Sequence, residues 1–147
     1  MGCFTSKNVE NLYKIDKNFS FDGYECFAKC VSVYDGDTVT IIFYHNKIEI
    51  PIQLNVRIIG YDSPEMHPKK KNRTQESLDE EKRRATIAKT YVETLILNKK
   101  IYVKFYKYDK YGRPLVDIII NNMTLTKIML DGGYGVPHDG GKKIIQI

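Results

Sequence analysis

The sequence predicts an α+β protein that is mostly β: a five-stranded Greek-key barrel with one long inserted helix and one short helix. Three observations carry this. Five short segments rich in β-branched and aromatic residues are separated by Gly, Asn and Asp turns. One stretch, Glu76 to Asn98, repeats apolar residues at helical spacing. The order is three strands, a helix, two strands and a helix, without internal repeat. That order suits a barrel of the OB type.

Taken in turn, Glu25 to Val33 alternates apolar residues with others and runs into Tyr34-Asp35-Gly36-Asp37, a strand closed by a turn. Thr38 to Tyr44 is β-branched and aromatic, a second strand, and His45-Asn46-Lys47 reads as a hairpin turn. Ile48 to Ile59 is the third strand, with Pro51 marking an edge or a bulge and Gly60 a break. Residues 66–75 form a polar, basic loop. In the helix that follows, Ala85, Ala88, Val92, Leu95 and Ile96 share a face. Acidic residues crowd its first turns, where the helix dipole favours them. Ile101 to Phe105 is the fourth strand, Asp109 to Arg113 a turn, Leu115 to Ile120 the fifth strand and Asn121-Asn122 another turn. Thr124 to Leu130 is a short helix stopped by Gly132-Gly133. The Gly-rich segment from Gly133 to Ile147 fits no element.

The length of 147 residues predicts one domain, placed at 23–147 behind a lead-in of residues 1–22. Apolar content of 42% and charged content of 28% are ordinary for a globular chain. No stretch approaches the roughly 18 apolar residues of a membrane-spanning helix. The first residues lack the apolar core of a signal peptide. The expectation is a cytoplasmic chain, not one secreted by a signal peptide. The net charge of +5 favours polyanionic partners. Lys69, Lys70, Lys71 and Arg73 fall in one run, and Lys82, Arg83 and Arg84 follow; on charge alone a solvated loop and helix face is an equal reading. Three cysteines, Cys3, Cys26 and Cys30, argue against a disulfide framework. Cys26 and Cys30 have no second pair at zinc spacing and read as reduced strand residues.

Met1-Gly2-Cys3-Phe4-Thr5-Ser6-Lys7 matches the N-myristoylation pattern, with Gly2 as acceptor and Cys3 open to palmitate. One myristoyl chain binds a bilayer only marginally, and a second acyl chain makes the anchor durable. Lys7 and Lys14 add attraction to anionic lipid. The expectation is a lipid anchor on the cytoplasmic face of a membrane.

Three segments concentrate charge at strand ends: Asp35-Gly36-Asp37-Thr38, Arg57 through Glu65, and Asp109-Lys110-Tyr111-Gly112-Arg113. Alone, each also reads as a turn or a helix start. Together they hold three carboxylates, Asp37, Asp62 and Glu65, and two arginines, Arg57 and Arg113. That is the chemistry of metal-assisted phosphodiester cleavage. Carboxylates and backbone oxygens hold a hard cation such as calcium. The cation polarises a phosphate oxygen, two guanidinium groups clamp the phosphate, and a third carboxylate orients or deprotonates water. No Cys or His belongs to the set, which disfavours zinc.

From about Val31 to Gly133 the sequence resembles the staphylococcal-nuclease-like (thermonuclease) family, whose signature pairs D-G-D-T with R-x-x-x-x-D-[TS]-P-E and a later D-K-Y-G-R. The resemblance implies that Asp37 and Asp62 are calcium carboxylates, that Ser63 binds calcium through its carbonyl, and that Asp35 is an outer acidic residue. It implies Glu65 as general base and Arg57 and Arg113 as phosphate clamps. Lys110 and Tyr111 become phosphate contacts, and Lys69 and Lys70 lie on the family's basic, substrate-side loop, to which His67 also belongs without a catalytic role. It implies a calcium-dependent endonuclease on DNA and/or RNA, preferring single strands and cutting at the 5′ oxygen to leave 3′-phosphates. The family's long C-terminal helix and base-stacking aromatic have no aligned counterpart, although Tyr134 and His138 stand nearby. The alternative is a non-catalytic OB-fold nucleic-acid-binding module. Such a copy is expected to lose one of the five key side chains, and none is lost. No obligate protein partner is evident.

Overall fold

A computed structural model of the chain describes residues 20–46 and 49–139. Among them are strands β1 (Glu25–Val33), β2 (Thr38–Tyr44), β3 (Pro51–Ile58), β4 (Tyr61–Asp62), β5 (Lys100–Tyr108), β6 (Pro114–Ile120), β7 (Met123–Thr124) and β8 (Val136–Pro137), with helices α1 (Gln75–Ile96) and α2 (Leu125–Asp131). Gly2, Cys3, Lys47 and the tail beyond Asp139 lie outside the described residues.

The alternation read from the sequence becomes a sheet in the order β3-β2-β1-β5-β6-β7, and a β3–β6 pairing closes five strands into a barrel. Every neighbouring pair is antiparallel except the closure. There β3 and β6 run parallel through Arg57↔Leu115 and Ile58↔Val116. Among the described residues, closure leaves no free edge around the barrel wall. Inward residues such as Ile41, Val56, Val103, Phe105 and Ile118 are buried. The predicted α+β, mostly β class is therefore the one that forms.

Helix α1 begins where Thr74 accepts a hydrogen bond from the Ser77 amide at 3.2 Å, a side-chain N-cap. It buries Leu78, Ala85, Ala88, Val92 and Ile96. Burying Val92 or Ile96 stabilises the fold by about 1.5–3 kcal/mol each relative to exposure. The helix stops at Ile96, before the expected Asn98, because Leu97 already turns extended with a ψ of 129°, and Asn98 follows at a left-handed φ of 59°. The third strand starts at Pro51, past Glu49 and Ile50, since a proline lacks the N–H a ladder needs and favours a strand's first position; the expected start at Ile48 lies outside the described residues. Three two-residue strands, β4, β7 and β8, were not legible in the sequence, being too short to show a period. Cys26 and Cys30 are free, as read, and burial pushes both thiols up to about 11. Among the described residues no helix is long and apolar enough to cross a membrane.

Candidate functional site at one end of the barrel

The turn between β1 and β2 is the base of the site. Asp35 and Asp37 face inward and are almost fully buried, at 8% and 6% exposure. The Asp37 amide donates to Asp35 Oδ1 at 3.1 Å, and the Thr38 hydroxyl donates to Asp37 Oδ1 at 3.0 Å. Gly36 lets this turn sit close: a Cβ there would lie 2.7 Å from Ser63 Cβ and 3.0 Å from Ala88 Cβ. The buried Tyr61 hydroxyl donates to the Gly36 carbonyl from the other side.

Register then delivers the arginines. The β2–β3 ladder pairs Thr38 with Arg57. The Arg57 guanidinium contacts Asp37 Oδ2 at 3.5 Å and also pairs with Asp62. One positive group therefore touches both carboxylates. The Ser63 amide donates to Asp37 Oδ2 at 2.9 Å, so the backbone after Asp62 is fastened to the same carboxylate. Parallel closure sets the start of β6 beside the end of β3. From there Arg113 reaches Thr38 Oγ1 at 3.3 Å and Asp109 Oδ2 at 2.8 Å. Asp109 also accepts from the Tyr111 and Arg113 amides at 2.8 and 2.9 Å, which shapes the turn.

Charge follows this geometry. Burial, then the neighbouring Asp37 charge, pushes the Asp35 carboxyl up to about 6. Burial and the Asp37 and Asp35 charges hold the Tyr61 phenol well above its ordinary value, so it stays a neutral donor. At Asp109 burial pushes upward, but hydrogen bonds from Arg113 and Tyr111 outweigh it and hold the carboxyl below its ordinary range. Among the described residues no three His, Cys, Asp or Glu side chains meet as a metal-holding group.

Direct contacts thus join Asp35, Asp37, Arg57, Asp62 and Ser63, and Arg113 joins them through Thr38. Glu65 stands exposed two residues past Ser63, its amide donating to Glu81 Oε1 at 3.2 Å. Tyr111 is 71% exposed, with Lys110 Nζ 5.0 Å and the Arg113 guanidinium 5.6 Å from its ring. Lys69, Lys70 and His67 are exposed on their loop. The Arg83 and Arg84 part of the basic run is tied to Glu80, at 2.9 and 3.0 Å. Sequence reasoning gave no role to Thr38 and Asp109, although both lie inside the motifs. It missed Glu81, which no local signal marks. His138, left unaligned, lies with Nε2 3.7 Å from Asp62 Oδ2, because β8 pairs with β4 through Asp62↔Val136.

The family model for staphylococcal nuclease homologues matches residues 55–143, a span that contains Arg57, Asp62, Ser63, Glu65 and Arg113, while Asp35 and Asp37 precede it. An uncharacterized protein of Methanocaldococcus jannaschii is 32% identical over 146 residues, covering 82% of this chain. The chain spans 65% of that relative's length. With the closed barrel, the two helices and this match over more than half its length, the chain belongs to the family of staphylococcal nuclease homologues.

Proposed function

We propose that the chain is a calcium-dependent nuclease that hydrolyses phosphodiester bonds in DNA and/or RNA, with single strands preferred. The observation that supports this most is the meeting of Asp37, Asp62 and Arg57 at one point, with Arg113 held on the far side of Thr38. Because a single guanidinium reaches both Asp37 and Asp62, the two carboxylates are close enough to share one cation. The donor set is oxygen, which suits calcium: two carboxylates and the Ser63 carbonyl, with water completing the shell. A bound calcium ion would supply polarisation of a phosphate oxygen.

The chain's own residues do the rest. Glu65 orients water and takes its proton. Arg57 and Arg113 hold the equatorial phosphate oxygens as negative charge grows on them. Lys110 and Tyr111 contact a neighbouring phosphate, and Lys69 and Lys70 draw the strand in. The new bond joins water oxygen to phosphorus; the bond to the 5′ oxygen breaks, and that oxygen takes a proton from solvent as it leaves, while Glu65 returns its proton to solvent. Asp35 stands behind Asp37 as an outer carboxylate.

The test incubates purified protein with single-stranded DNA, with calcium or with chelator, beside the Glu65→Gln, Arg57→Ala double variant. Calcium-dependent cleavage that the variant lacks is the expected result. Absence of cleavage in any cation, with salt-sensitive binding retained, would instead identify a non-catalytic OB-fold binding module. For location, we propose acylation of Gly2 and Cys3 and attachment to the cytoplasmic face of a membrane, where entering calcium reaches the enzyme. A Gly2→Ala variant that still localises like the wild type would overturn this.

A further inference from the structure

We propose that the open cavity beside Glu65 seats a nucleobase of the strand that flanks the cleaved phosphate. This rests on the nuclease reading above and adds a part to it. The cavity measures about 890 Å³ and lies between the first half of α1 and the segment Gly132–Val136. It borders Asp62, Ser63 and Glu65, so whatever fills it is a direct neighbour of the reacting phosphate.

Its walls suit a base better than a phosphate. Ile87 lines it from α1, off the stripe that α1 buries, and is 42% exposed. Val136 lines it from β8 and is 48% exposed. Tyr134 makes a fixed wall, its ring stacked on Tyr91 with centroids 4.4 Å apart. These three side chains, with Pro64, give the cavity its apolar surface, and charged and polar side chains make up about half of the lining. The charged groups around the rim are Asp62, Glu65, Glu80 and Glu81 against Arg73 and Arg84. Both arginines are already engaged, Arg73 with Glu81 and Arg84 with Glu80. A phosphate entering here meets an excess of carboxylates. A base meets apolar surface and carboxylate oxygens able to accept from its amino group. Phosphate therefore runs over the Arg57 and Arg113 side, and the base turns toward α1.

The experiment measures binding of the full chain, with chelator present so that the oligonucleotide survives. Fluorescence anisotropy compares a labelled single-stranded oligodeoxynucleotide with an abasic one of equal phosphate number, which holds the electrostatic attraction constant. The wild type is expected to favour the base-bearing strand on the order of tenfold. An Ile87→Glu, Val136→Glu double variant is expected to bind both strands alike. Both positions are solvent-exposed, and an Ile87→Ala variant with a partial loss guards against misfolding. Equal affinity of the wild type for the two strands overturns the proposal, and so does a preference that survives in the double variant. Calcium-dependent cleavage is scored separately. Cleavage without base preference removes only the base seat, and base preference without cleavage removes only the nuclease reading.

Discussion

Gly36 shows how one missing side chain shapes the site. A Cβ there would lie 2.7 Å from Ser63 Cβ, closer than real Cβ contacts come, and a tight 3.0 Å from Ala88 Cβ, and Ala88 is fully buried on α1. Gly36→Ala is therefore expected to destabilise the fold by about 1–3 kcal/mol through overpacking. Because Ser63 is the more movable neighbour, cleavage should fall further than the stability loss explains; urea denaturation beside a cleavage assay checks both. On the proposed function, Arg57 and Arg113 hold phosphate through planar, multi-donor guanidinium groups that lysine cannot copy. Arg57→Lys and Arg113→Lys should each lower kcat on the order of a hundredfold, read by single-turnover cleavage. Asp109 gives a pH dependence. Its folded pKa lies below the ordinary value, so its stabilising effect is complete above the unfolded carboxylate range and is lost as pH falls through the lower folded value. The stability difference between wild type and Asp109→Asn should therefore be constant above about pH 5 and shrink in more acidic solution, as followed by thermal unfolding.

At the scale of elements, the loop after Asp62 is held by a clasp rather than by regular pairing. Arg73 pairs with Glu81 and donates to the Ser77 carbonyl and hydroxyl at 3.1 and 2.9 Å. Glu81 in turn accepts from the Glu65 amide. Helix α1 thus grips both ends of the loop that carries Glu65. Removing the clasp with Glu81→Ala should lower kcat by roughly tenfold, as a misplaced catalytic group does, with little change in melting temperature because the pair is part-exposed. Glu81→Gln keeps an acceptor for the Glu65 amide and should recover much of the rate. A second element decides Asp62: β8 pairs with β4, and only glycine fits at 135, since a Cβ there would lie 2.7 Å from the Tyr61 ring and 2.8 Å from the Asp62 carbonyl.

Across the whole molecule, the barrel gathers groups far apart in sequence onto one end. Strand tilt and the parallel β3–β6 closure set the β1–β2 turn, the end of β3 and the start of β6 side by side. The expense of that arrangement is two buried carboxylates, Asp35 and Asp37, that repel each other. On the proposed function, a cation that binds only the folded chain would offset this repulsion and stabilise by about 2.7 kcal/mol at a hundredfold excess over Kd. Calcium should therefore raise the melting temperature of the wild type but not of Asp37→Asn, by differential scanning fluorimetry against a chelator control. An equal rise in both would remove Asp37 from the cation site.

Local sequence determined the elements. The alternation in Glu25–Val33 and the Ala85-Ala88-Val92-Ile96 stripe are periodic patterns, and each names its own buried face. Motif spacing also marked Asp37, Arg57, Asp62 and Arg113, since those residues sit at strand ends beside turns that composition announces. The tertiary structure alone decided what each of them touches. Nothing near Thr38 in the chain tells of Arg113, 75 residues away, whose guanidinium meets its hydroxyl. Nothing near Glu65 announces Glu81, and β4 and β8 exist only because they pair with each other. The physical reason is that periodicity records which face a residue turns inward, whereas contact between distant segments depends on barrel register and closure, and no local pattern carries those.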